Sequence, residues 1–162
     1  HPLASDSYGD GIDSDCDGLD CEADFDGSGV YFSVCIDSTQ KSFVEAESAC
    51  LAGGYDGVTL PLNTAENNFI FTASQAIWHQ SPVGNYNIRL GGTDAATEGI
   101  WLHDRLSSPM TYFNWAATEP TNSFGNEHCI NMIGDLGLGG QWQDLGCHQP
   151  SNVAFAWSCE IR

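Results

Sequence analysis

Seven cysteines, Cys16, Cys21, Cys35, Cys50, Cys129, Cys147 and Cys159, constrain what this chain can fold into more than any other feature. None falls in a Cys-x-x-Cys pair, and no Cys/His grouping has zinc-finger spacing. The pattern therefore predicts disulfides formed in an oxidising, extracellular compartment. Seven is odd, so one cysteine is left over, either free or joined to another chain. A length of 162 residues suits one compact domain with an appended segment, and 41% hydrophobic content is enough for a core. No apolar run approaches the ~18 residues of a membrane helix, so membrane insertion is not expected. The chain opens His1-Pro2-Leu3, without the basic and apolar stretches of a signal peptide, and a start other than methionine suggests a processed N-terminus.

Charge narrows the partners. Lys41, Arg89, Arg105 and Arg162 stand against 22 acids. Nucleic acid and anionic membranes both need basic surface, so neither is expected as a partner, whereas cations are. Residues 1–26 hold nine of the acids and no Lys or Arg. That break places a boundary near Gly27–Gly29, dividing an acidic segment (1–26) from a domain (27–162). Within the segment, Asp13, Asp15 and Asp17 alternate, Gly18 takes the sixth position and Asp24 the twelfth. Alternate carboxylates followed by a turn glycine form the front half of a calcium loop. No amphipathic helix flanks it, so it is no EF-hand; it resembles the loop-only calcium repeats of thrombospondin-type segments. The alternative is a solvated acidic tail.

Val30–Cys35 is β-rich and predicts a strand. Ser42 followed by Glu45 forms a capping box, with Phe43, Ala46 and Cys50 at helical spacing and Gly53-Gly54 as the stop. Asn63 and Glu66 repeat the signal for a second helix, striped by Phe69, Ile70 and Ala73. After Ala73, glycine, aromatics and short apolar runs dominate, as in Ile88–Gly92, Gly99–Leu102 and Ala154–Trp157. Helices early and short strands late predict an α+β fold. The stretch from Thr93 to Gly140 reads as long irregular loops, which are usually functional.

That stretch carries Glu119-Pro120-Thr121-Asn122, then Glu127-His128-Cys129, and Trp142-Gln143-Asp144 follows. Three carboxylates and several neutral oxygens suit calcium, which takes six to eight oxygen donors. A Glu-Pro bond can be cis, which would turn the flanking side chains to the same side. Together with Ser42–Cys50, Leu90–Asp94, Thr111–Trp115, Cys129, Trp142, Cys147 and Trp157–Glu160, the ordered set resembles a C-type lectin-like domain from about residue 25 to the end.

The resemblance implies two helices, short antiparallel strands, a long calcium-binding loop region, and the bridges Cys50–Cys159 and Cys129–Cys147. Cys35 would pair with Cys21 or Cys16, leaving the other to link chains in a homo- or hetero-oligomer. The family usually has a cysteine just before the aromatic pair of the first strand. Gly29 and Val30 stand there, so the N-terminal hairpin is atypical. Carried over, the principal calcium and sugar ligands are Glu119, Thr121, Glu127, Gln143 and Asp144. Thr121 and Gln143 replace two asparagines, each of which supplies both an oxygen and an amide donor. Thr121 offers one shorter hydroxyl; Gln143 reaches a methylene further. The Glu-first order resembles the mannose-type motif. A second calcium site would use Asp94 and Glu98, joined by Asn122. His128 stands beside Glu127 where an acid is common, and histidine is a poor calcium ligand, so this second site is expected to be weak or empty.

Enzymatic readings find no support. There is no HExxH, no Gly-x-Ser-x-Gly and no phosphate-binding glycine loop. The expectation is a secreted, calcium-dependent protein that binds glycans or glycoproteins. The alternative is an extracellular-matrix or biomineral-associated calcium-binding protein on the same fold that does not bind sugar.

Overall fold

The computed structural model describes residues 22–25, 30–36, 41–78, 86–148 and 156–162. The expected α+β architecture is present: two helices and short strands joined in one sheet. In chain order the elements are β1 (Glu22–Phe25), β2 (Tyr31–Ile36), α1 (Phe43–Ala52), β3 (Gly57–Val58), α2 (Thr64–Trp78), β4 (Asn87–Thr93), β5 (Leu102–His103) and β6 (Ser108–Pro109). After these come β7 (Cys129–Ile133), β8 (Trp142–Leu145) and β9 (Ala156–Ile161).

Local chemistry sets the helix starts. The Ser42 hydroxyl accepts from Glu45 N–H while the Glu45 carboxylate accepts from Ser42 N–H, so α1 begins on a reciprocal capping box. Glycine follows as expected, with Gly53 closing the helix on Ala49 and Leu51 carbonyls. Asn63 and Glu66 repeat the exchange at α2: Glu66 N–H donates to Asn63 Oδ1 and the Asn63 amide donates to Glu66 Oε1. α2 runs on to Trp78, past the Ala73 limit read from its apolar stripe.

Pairing runs β1-β2-β9-β4-β5-β6, with β3 on β9 and β7 between β4 and β8. β1 lies on the acidic side of the break in composition and pairs across it with β2, Glu22 opposite Val34. β4 pairs with β9 in parallel; the other pairings are antiparallel. Gly91 lets β4 approach β3: a Cβ there would lie 2.5 Å from the Val58 carbonyl oxygen. Phe32, Ile70, Ile88, Leu90, Ile130, Met132 and Trp142 form the main core. Burying each contributes roughly 1.5–3 kcal/mol relative to exposure.

Two bridges close the framework. Cys50–Cys159 ties α1 to β9, and Cys129–Cys147 joins the start of β7 to the segment after β8. Cys35 is also disulfide-bonded; Cys16 and Cys21 lie outside the described residues. So do Asp13, Asp15 and Asp17, while Asp24 sits in β1 opposite Phe32. Among the described residues no helix is long and apolar enough to cross a membrane.

Candidate metal and ligand site

The site rests on an aromatic floor. Trp115 packs edge-on against Trp142 at 5.9 Å between ring centroids, and Trp101 and Tyr112 complete the cluster. Trp142 is pinned to α2 by a 2.7 Å hydrogen bond from its indole N–H to Asn67 Oδ1. Main-chain bonds Trp142 N–H to Asn114 O and Ala116 N–H to Trp142 O lay the segment before Glu119 along β8.

Strand pairing then gathers the carboxylates. Cys129 pairs with Leu145 and Ile130 with Asp144, so Glu127, two residues before β7, lies beside the end of β8 that carries Asp144. The Cys129–Cys147 bridge holds the same corner. The Glu119–Pro120 peptide is cis. Just after it, Thr121 N–H and Asn122 N–H donate to the two oxygens of Asp144 at 2.9 and 2.7 Å. Ser123 N–H donates to Glu127 Oε2 at 2.7 Å, and the Thr121 hydroxyl reaches the same oxygen at 3.2 Å. Asp144 is only 2% exposed.

Glu119 completes the set. Burial, and after it the Asp144 carboxyl alongside, push its carboxyl up to about 7, with Glu127 acting in the same direction. Its Oε2 is buried and has no hydrogen-bond partner among the described residues. A buried carboxylate oxygen without a donor is costly, and converging like charges add to the cost. A hard cation answers both, so Glu119, Glu127 and Asp144 fit calcium.

Gln143 stands apart from the residues expected beside it. Burial alternates along β8, placing Trp142 and Asp144 on one face. Gln143 and Leu145 line a separate groove with Tyr86, Asn87, Ile133 and Asp135. Thr121 is in place, but its hydroxyl is engaged by Glu127 and Ser123.

The second group also assembles. Asp94 follows directly on β4, Glu98 lies four residues on, and the His128 carbonyl accepts from both Asp94 N–H (3.2 Å) and the Thr93 hydroxyl (2.7 Å). His128 Nδ1 lies 3.1 Å from Asp94 Oδ1 and 3.6 Å from Glu98 Oε2. Asn122 joins the two groups: its amide donates to Glu98 and its oxygen accepts from Glu127 N–H. Asp94, Glu98 and Asn122 come together as expected, and His128 stands among them. Phe124, which no sequence motif marks, is fully exposed with φ 57° at the tip of the loop.

No family profile matches the chain. It is 30% identical over 128 residues to the alpha-N-acetylgalactosamine-specific lectin of Patiria pectinifera, covering 76% of this chain and 70% of that one. It is 27% identical over 117 residues to pulmonary surfactant-associated protein D of Bos taurus, 72% of this chain but 28% of that larger protein. Among solved structures, the C-type lectin CEL-I from Cucumaria echinata superposes with a TM-score of 0.64 at 18% identity, over 88% of this chain and 95% of that one.

Proposed function

The chain belongs to the C-type lectin family, a family of lectins rather than enzymes, and from that premise we propose that it binds carbohydrate through calcium held by Glu119, Glu127 and Asp144. One observation carries the reading: Glu119 Oε2 is a buried carboxylate oxygen without a donor, in a group of three acids. Calcium there supplies open coordination positions for vicinal sugar hydroxyls. The chain's own contribution is to fix the carboxylates. Main-chain N–H groups of Thr121, Asn122 and Ser123 orient Asp144 and Glu127. In this reading the protein is secreted, its cysteines oxidised outside the cell, and Cys16 or Cys21 links chains. Residues 1–26 form an acidic segment, joined to the domain's sheet through β1, in which Asp13, Asp15, Asp17 and Asp24 take a further calcium ion.

The ligand class is a glycan with vicinal hydroxyls. The Glu-first motif favours mannose-type sugars, whereas the Patiria relative is named for N-acetylgalactosamine. A second reading, calcium binding in an extracellular matrix without sugar, is favoured by two observations: the Thr121 hydroxyl is already engaged, and Gln143 lines another groove. A glycan array with both sugar classes, run in calcium and in chelator, separates the readings. Chelator-sensitive sugar binding supports the first. Calcium uptake by calorimetry without any sugar signal supports the second. No calcium uptake at millimolar concentration overturns both.

A further inference from the structure

We propose that Asp94, Glu98 and His128 form a binding site for a zinc-class transition-metal ion, distinct in chemistry from the calcium group beside it. The imidazole separates this trio from ordinary surface acids. Calcium takes oxygen donors, and His128 offers nitrogen, the donor shared by zinc, cobalt and nickel sites. The spacing agrees. Zinc bonds of about 2.0–2.1 Å in a tetrahedron put neighbouring donors roughly 3.3–3.4 Å apart. His128 Nδ1 lies 3.1 Å from Asp94 Oδ1 and 3.6 Å from Glu98 Oε2. All three donor atoms fall within 4.8 Å of one another.

Positioning is graded from rigid to open. The Asp94 side chain is 1% exposed, and its second oxygen accepts the Gly99 N–H at 2.8 Å, which leaves Oδ1 turned to His128. The Thr93 and Asp94 bonds to the His128 carbonyl fix the backbone on which the ring is carried. Glu98, 57% exposed, borders solvent and leaves room for water as a fourth ligand. The Asn122 amide donates to that same Glu98 Oε2, orienting it as partners of metal-ligating carboxylates commonly do. In the metal-bound form the ion would replace the direct His128–Asp94 hydrogen bond. Three protein ligands and an open position are the pattern of an exchangeable site.

This inference does not depend on the sugar reading, and its test does not use sugar. The full chain, saturated with calcium, is titrated with zinc by calorimetry and with cobalt by visible absorption. One zinc equivalent is expected to be retained in excess calcium, and cobalt is expected to give ligand-field bands of a nitrogen–oxygen site. His128→Gln should weaken both by more than about tenfold. His128→Asp, which makes the donor set all oxygen, should lose zinc and gain a calcium equivalent. The melting temperature of each variant without metal reports whether it is folded. Displacement of zinc by calcium would overturn the proposal. So would unchanged zinc affinity in both folded variants, which would place the ion on another of the five histidines.

Discussion

Glu66 and Glu160 are answered by guanidinium groups, whereas Asp144 and Glu127 are answered by main-chain N–H groups and a hydroxyl, and Glu119 beside them keeps a buried oxygen with no donor among the described residues. Arg162 bonds Glu66 at 2.6 Å and Glu160 at 3.0 Å, and Arg105 reaches Glu160 at 3.3 Å. Glu160 is fully buried, and His103 lies 3.7 Å away. That cluster locks the C-terminal strand β9 to α2 and to the turn after β5. The other cluster has the geometry of a structural network but not its charge balance. The chain has four basic residues for 22 acids, and two of the four are spent on Glu66 and Glu160. The difference between these two clusters is which carboxylates receive arginine.

The largest expected effect tests the arginine-paired side. Glu160→Gln leaves Arg162 and Arg105 short of a buried counter-charge and should destabilise the domain by about 3 kcal/mol, read as a lower urea midpoint with or without calcium. A calcium-dependent loss would break the contrast between the two clusters.

Asp144→Asn is the counterpart on the other side. It should weaken calcium by about a hundredfold, roughly 2.7 kcal/mol, since one charged ligand is lost. Stability without metal should change far less, because the amide oxygen still accepts one N–H. Calorimetry and thermal melting of the same samples separate the two effects.

A smaller effect carries the opposite sign. Glu119 has a folded pKa of about 7 against an ordinary 4.5. The folded state therefore holds this proton more tightly than the unfolded state. Its contribution to metal-free stability is fullest below about 4.5 and falls as pH rises to about 7. Partial solvent exposure limits the fall to on the order of 1 kcal/mol. Glu119→Gln should remove that slope and stabilise the metal-free protein at neutral pH while weakening calcium. Parallel pH slopes for parent and variant would refute the assignment. The smallest change is Thr121→Asn, which should shift calcium affinity by less than about threefold and raise any mannose-type signal by returning an amide donor.

Where the folding signal is local, it can be read from the chain. Ser42/Glu45 and Asn63/Glu66 announce two helices because a cap and its partner lie three residues apart. The cysteine framework and the Glu119-Pro120, Glu127 and Asp144 run are similarly visible once taken as an ordered set. β7 lies inside the stretch that reads as loop, and β8 just past its end. Their strand character comes from pairing with each other and with β4, and Asn131 and Gln143 do not advertise it. The side of β8 on which Gln143 lies depends on the phase of a four-residue strand, which burial sets and sequence does not. His128 meets Asp94 across 34 residues, through a carbonyl contact that no spacing rule encodes.

Asp144 and Glu127 hold the loop between Pro120 and Glu127 mainly by its amide hydrogens, and every residue except proline has one. The path of that loop is thus largely independent of the side chains displayed on it. Asn122 and Phe124, with φ of 43° and 57°, are the positions where the backbone is selective. At Thr121 and Ser123 the main-chain bonds survive substitution, and only the hydroxyl contacts to each other and to Glu127 are lost. A repertoire of variants at those two positions would share one scaffold while presenting different faces to whatever approaches it, so recognition in this molecule can diversify without the fold having to be relearned.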